Sequence, residues 1–286
     1  MALATWTHEP ELHEDVLASG QRLNDDLTVL GHLGGSRRVD IYLCRSRRLR
    51  ASVAVKALRP HLWDDADAVK ALLREGETLT RLRHPHIVEG YEVSTLGRPH
   101  IVMEALSSVT LEDALFEGNY QAFGVEDFVE IALGLADALS YAHKSGVLHL
   151  DVKPANVLYQ DGTPYLIDFS VARPYSPGHV VRSGAGTCAY MAPEQCFDGA
   201  LGPYTDVFGL GVLFYQMLTG GVMPYEVSGT GQADPVLDYE RAALSPAILN
   251  PAVPEAVAAV ALRAIHPDPT RRFPTPQAFR QALLQA

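Results

Sequence analysis

The chain has 286 residues, 47% of them hydrophobic, with 34 acidic against 23 basic side chains and a net charge of −11. Such a composition supports a sizeable core and excludes disorder over most of the length, and the acidic balance argues against nucleic acid as a partner, because binding a phosphate backbone draws on excess Lys and Arg. The three cysteines, Cys44, Cys188 and Cys196, lack the close pairs of a zinc site and read as free thiols of a reducing compartment.

Residues 1–20 form an acidic N-terminal extension with Glu9, Glu11, Glu14 and Asp15. It has neither the basic start nor the apolar run of a signal peptide, so a cytoplasmic protein is expected. Five short strands follow, at Leu27–His32, Val39–Cys44, Ser52–Leu58, Ile87–Val93 and Pro99–Glu104, rich in Val, Ile and Tyr and broken by Gly, Arg and Pro. Between the third and fourth, Val69, Leu72, Leu73, Leu79 and Leu82 recur at helical spacing and predict a helix over Ala66–Arg83, stopped by His84-Pro85. After Glu104 the texture turns helical. Helices are predicted at Val125–His143, with Gly146 as its C-cap, and at Val207–Thr219, Pro254–Ile265 and Pro276–Leu284, after a loop-rich middle from Val147 to Pro193. The uncharged stretch Val207–Tyr225 approaches the length of a membrane span, but Gly220-Gly221 ends its apolar part early, so a buried core helix and no membrane span is expected. The sum is an α+β chain of two lobes: a β-rich lobe with one helix over residues 21–105 and a larger, mainly helical lobe over 106–286.

The densest chemical signal is His149-Leu150-Asp151-Val152-Lys153-Pro154-Ala155-Asn156. A carboxylate, an ammonium two residues on and a carboxamide five residues on, within one loop, suit phosphoryl transfer: the first orients a hydroxyl and accepts its proton, the second neutralises the moving phosphoryl group, and the third offers an oxygen to Mg²⁺. Downstream, the apolar strand Tyr165-Leu166-Ile167 delivers Asp168 to its end, where a carboxylate can share a hard cation with Asn156. Standing alone, Lys56 reads as a strand-edge lysine, Glu75 as a solvated helix charge, and His149 as a buried loop organiser rather than a base or ligand.

At these residues the chain resembles the eukaryotic-like Ser/Thr protein kinases, in their bacterial branch, from about residue 22 to 284. Val53-Ala54-Val55-Lys56 is similar to the family's third-strand motif, Glu75 to the helix glutamate paired with its lysine, and Gly186-Thr187 through Ala192-Pro193-Glu194 to the end of an activation segment. Lys153 and Thr187 are similar to the Ser/Thr subgroup, and Asp206 and Arg272 to two structural anchors. The resemblance implies a bilobal kinase-like fold with a small antiparallel sheet. It implies ATP with Mg²⁺ (or Mn²⁺) as cofactors, and a protein Ser/Thr hydroxyl as substrate. It assigns Asp151 and Lys153 to catalysis, Asn156 and Asp168 to metal, and Lys56 with Glu75 to the nucleotide phosphates. Leu33, Ile41, Ala54, Met103, Leu106 and Leu158 would sandwich adenine, with Glu104 and Leu106 offering backbone hydrogen bonds. Oligomeric state is left open.

Three departures stand out. In the glycine-rich loop Gly34 keeps the first family glycine, but Ser36 and Val39 replace the second and third. A loss of about 1.4 kcal/mol in transition-state binding there would slow turnover roughly tenfold. Ser170 stands where a glycine usually follows Asp168-Phe169, adding a Cβ that is costly in any conformer requiring positive φ. Leu150 replaces the arginine that grips a phosphorylated activation loop, which points to activity without such phosphorylation. Ser36, Val39 and Ser170 also support the alternative of a pseudokinase, a nucleotide-binding or protein-binding scaffold. Thr187 is expected to buttress the catalytic loop. Arg37 and Arg38 lie in the phosphate-facing loop, where one can donate to a phosphate, and Arg45, Arg47, Arg48 and Arg50 read as a solvated hairpin turn.

Overall fold

The computed structural model describes residues 15–116, 123–228 and 236–286. The smaller lobe is built on five antiparallel strands: β1 (Leu27–Gly35), β2 (Val39–Ser46), β3 (Ser52–Leu58), β4 (Gly90–Ser94) and β5 (His100–Glu104), in the order β1-β2-β3-β5-β4. Helix α1 (Ala66–Arg81) packs on β4 and β5. Its start is fixed by Asp65, whose carboxylate accepts from the amides of Asp67 and Ala68 at 3.0 Å. The opposite face of the sheet buries Leu27, Val29, Tyr42, Val53, Val55 and Val102, with Val16 and Leu17 of the N-terminal extension packed over them. The arginine-rich run after β2 is the turn into β3, where Arg50 takes φ +54°.

The predicted fourth strand is displaced: β4 begins at Gly90, not Ile87. Ile87 and Val88 are buried because they serve another purpose. Ile87 bridges Leu166 in parallel, the Val88 amide donates to Leu166 O at 3.1 Å, and the Leu166 amide donates to His86 O at 2.8 Å. Apolar β-formers here stitch one lobe to the other.

In the larger lobe come β6 (Val109–Thr110), α2 (Leu111–Phe116), α3 (Val125–Lys144), β7 (Val147–Leu148), β8 (Val157–Gln160), β9 (Thr163–Leu166), β10 (Arg173–Pro174), α4 (Pro193–Cys196), α5 (Pro203–Leu218), β11 (Val227–Ser228), β12 (Val236–Leu237), α6 (Pro246–Leu249), α7 (Glu255–Ala264) and α8 (Pro276–Leu283). The loop-rich middle thus carries β7 to β10: β9 holds the strand expected before Asp168, and the sequence pattern does not reveal the other three. They are too short for period-2 patterning to show. Helix α3 caps at Ser145, one residue before the predicted position, and Gly146 follows at φ +80°, the left-handed step that glycine takes without cost. Helix α5 is buried on nearly every side because α3, α7 and α8 pack around it, and Phe214 meets Phe279 edge-on at 6.0 Å. No helix among the described residues is long and apolar enough to cross a membrane. The three cysteines are free thiols.

Candidate active site

The cleft between the lobes gathers side chains from β1–β3, α1 and the loops around β8 and β9. Lys56, on β3, reaches Glu75 of α1 at 2.7 Å and Asp168, after β9, at 3.1 Å. One buried ammonium therefore serves two carboxylates drawn from both lobes. Burial pushes the Glu75 carboxyl up, to about 7, against the pull of Lys56. Burial also opposes the charge on Asp168, but the Lys56 ammonium and the Ser170 N–H outweigh it and hold that carboxyl well below its ordinary range. Lys56 loses by desolvation and gains more from the two anions, so its cation is strongly favoured.

Asn156, Lys153 and Thr187 gather around Asp151. Its Oδ1 accepts from the Thr187 amide at 2.8 Å, its Oδ2 accepts from Asn156 Nδ2 at 2.8 Å, and Lys153 Nζ lies 3.2 Å away. Lys153 also donates to Thr187 Oγ1 at 2.5 Å, so Thr187 buttresses the loop through both amide and hydroxyl as expected. Beneath, Asp206 of α5 accepts from the amides of His149 at 2.9 Å and Leu150 at 2.7 Å and from His143 Nε2 at 2.7 Å. Burial alone would push the Asp206 carboxyl up; these donors bring it below the ordinary value. Leu150 takes φ +67°, a left-handed turn that brings its N–H round to Asp206. His149 is fully buried, faces Ile167 O at 3.1 Å and stacks edge-on against Phe169 at 4.8 Å, the loop-organising role. Arg272, also fully buried, clasps Glu194 with two contacts of 2.7 and 2.9 Å.

Ser170 carries no strain in this conformer. The left-handed residue is Asp168, at φ +61°, and Ser170 is outside that region. At Gly186, φ is +146° and a Cβ would stand 2.9 Å from Leu150 O, so the activation segment needs glycine there to lie against the catalytic loop.

Two cavities meet in the cleft. A recess of about 20 Å³ beside the lobe connection is lined by Leu33, Ala54, Met103, Glu104, Leu106 and Leu158, and also by Leu43, Val88, Ala105 and Ile167. A larger cavity of about 480 Å³ holds Lys56, Glu75, Lys153, Asn156 and Asp168, roofed by Ser36, Val39 and Ile41. Ile41 lines the larger cavity together with Met103, and Leu43, two residues along β2 and on the same face, lines the recess. That alternation was legible in the sequence. Gly35 rather than Gly34 lines the larger cavity, since Gly34 is buried in the pairing of β1 with Ile41. The hairpin between β1 and β2 is tight: the Ser36 amide donates to Val39 O at 2.8 Å, and Ser36 Oγ accepts from the amides of Arg38 and Val39 at 3.2 and 3.4 Å. It parts the two arginines, Arg38 lining the cleft and Arg37 a different cavity.

The residues suit a hard cation. Asn156 spends its amide N–H groups on Asp151 O and Oδ2, both at 2.8 Å, leaving its oxygen free among the described residues, and Asp168 gives only Oδ1 to Lys56 and Ser170.

The protein kinase domain family model matches residues 27–284, and the chain belongs to that family. It is 30% identical over 258 residues to a protein named as a probable serine/threonine-protein kinase of Streptomyces coelicolor, covering 87% of this chain and 38% of that one. It is also 30% identical over 267 residues to the serine/threonine-protein kinase PknB of Mycobacterium tuberculosis, covering 88% and 41%. Among solved structures, the PknI kinase domain of M. tuberculosis superposes with a TM-score of 0.72 at 25% identity, over 94% of this chain and 99% of that one. The chain spans about two fifths of the length of the curated relatives it matches.

Proposed function

We propose that this chain transfers the γ-phosphoryl group of ATP to a protein Ser or Thr hydroxyl, without needing a phosphate on its activation segment, and that it works in the cytoplasm. The observation that carries the first part is the assembled ion-paired core, with Lys56 held between Glu75 and Asp168 in the cavity that Lys153 and Asn156 also line, and with Asp151 fixed on the same loop by Asn156, Lys153 and Thr187. In this reading Lys56 would meet the non-transferred phosphates, and Asn156 and Asp168 would hold Mg²⁺. The bound cation would neutralise charge on the phosphates. Asp151 aligns the acceptor hydroxyl and takes its proton as the oxygen–phosphorus bond forms and the bond to the β-phosphate oxygen breaks. Lys153, beside Asp151, offsets negative charge on the group in transit.

Independence from segment phosphorylation rests on Leu150. It is buried in an apolar cluster with Leu148 and Leu201, and Val171, Tyr175 and Val181 of the activation segment pack onto it. The Leu201 amide donates to Val181 O at 2.9 Å, and β10 pairs with β7. Packing thus takes the place of a phosphate–arginine contact.

Incubation with radiolabelled ATP, Mg²⁺ and a Ser/Thr-containing protein is expected to give label that falls about 10²–10⁴-fold in Asp151→Asn. Equal labelling of both proteins, or none, overturns the enzyme reading. The narrowness of the recess by the lobe connection, about 20 Å³, favours one second reading, a scaffold without nucleotide.

A further inference from the structure

The outer face of the smaller lobe carries a second polar site. Along β2, Ile41 points into the cleft and its neighbour Asp40 therefore points to the opposite side. There Asp40, Arg59, Arg37, His61 and Asp15 line a cavity of about 340 Å³. Asp40, 1% exposed, is shared by Arg98 Nη2 at 3.0 Å, Arg59 Nη2 at 3.3 Å and His32 Nε2 at 3.3 Å. Arg98 is fully employed: it also donates to Leu58 O at 3.1 Å, and its guanidinium lies over the Tyr42 and Trp63 rings at 5.3 and 5.8 Å.

Arg59 is not. It is 8% exposed, touches Asp40 only at that longer distance, and its buried Nε has no hydrogen-bond partner among the described residues. Two buried guanidiniums against one carboxylate leave a positive charge in excess, and a buried cation without its own counter-ion is expensive. Asp15, exposed at the rim, makes no ion pair with Arg59. Even with Asp15 counted, among the described residues three guanidiniums (Arg37, Arg59, Arg98) face two carboxylates, in a chain whose net charge is −11.

We infer that this outer cavity binds a phosphate-type oxyanion, anchored by the Arg59 guanidinium and closed over by Arg37 and His61. The planar fork of a guanidinium matches such oxygens, and a tetrahedral anion in the cavity would meet the Arg59 side chain and the rim donors Arg37 and His61 together. The site is separate from the cleft, yet linked to it. Arg37 sits on the hairpin that roofs the cleft, and the Arg59 amide, three residues beyond Lys56, donates to Arg38 O at 2.9 Å. An anion held by both arginines would pin the hairpin to the end of β3.

The test is thermal unfolding and calorimetric titration with inorganic phosphate, against chloride at equal ionic strength. Wild-type protein is compared with Arg37→Ala/His61→Ala and with Arg38→Ala, which removes the neighbouring arginine on the cleft side. These exposed positions spare the fold, whereas Arg59→Gln alone risks it. The expected result is a saturable phosphate-dependent rise in melting temperature, kept in Arg38→Ala and weakened about tenfold in affinity in the double variant, the loss of about 1.4 kcal/mol of charge-assisted contact. A parallel titration with a phosphothreonine peptide and its unphosphorylated form separates the sources. Tighter binding of the phosphopeptide than of free phosphate assigns the site to a phosphorylated protein; the reverse assigns it to the free anion. No saturable rise, a rise that survives the double variant, or one lost in Arg38→Ala overturns the inference.

Discussion

Glu75 and Asp168 compete for one ammonium, and their protonation runs in opposite directions. Burial raises Glu75 from 4.5 to about 7, so between those values the folded protein keeps a proton that the unfolded chain releases. Its contribution to stability is present below about pH 4.5 and is lost as the pH climbs to about 7. Asp168 is depressed, so its contribution is present above its ordinary value of 3.8 and is lost as the pH falls below it. Urea-denaturation midpoints of the nucleotide-free protein are therefore expected to carry a downward component from pH 5 to 7.5, and Glu75→Gln to remove it. A variant that tracks the wild type across that window refutes the assignment. These residues were legible in the sequence because each chemical role demands a particular functional group. Their order of protonation was not, because it depends on which carboxylate the backbone amides reach.

At the scale of elements, the strands and long helices followed from apolar periodicity, and the departures have physical causes. Ile87 and Val88 look like the start of β4 but pair with Leu166 across the lobes, a contact that no local pattern encodes. Val88 and Ile167 reach the narrow recess only through that tertiary pairing. Leu150 was legible as the loss of a cation; that it becomes the centre of an apolar cluster with Val171, Tyr175 and Val181 depends on how the activation segment folds back. Leu150→Ala should cost about 2–5 kcal/mol of stability as a core truncation and loosen the segment, read as faster proteolysis between Val171 and Leu201. Phosphatase treatment of the wild type should leave its turnover unchanged. Loss of turnover on that treatment would show that a phosphate, rather than this packing, orders the segment.

For the whole molecule, nucleotide binding is a matter of bringing two lobes onto one ligand. If ATP with Mg²⁺ bridges them, a ligand concentration one hundred times Kd should stabilise the fold by about 2.7 kcal/mol, a rise in Tm of roughly 4–5 °C for a chain of this size. A melting curve indifferent to nucleotide would instead fit the scaffold reading. Among the described residues the backbone joins the lobes at two places: the covalent passage from β5 through Ala105 and Leu106, and the bonds of His86 and Val88 with Leu166. Two such attachments act as the pins of a door. They leave one easy axis of swing, along which the recess beside Met103 scarcely travels while the tip at Arg37 and Arg38 sweeps the widest arc.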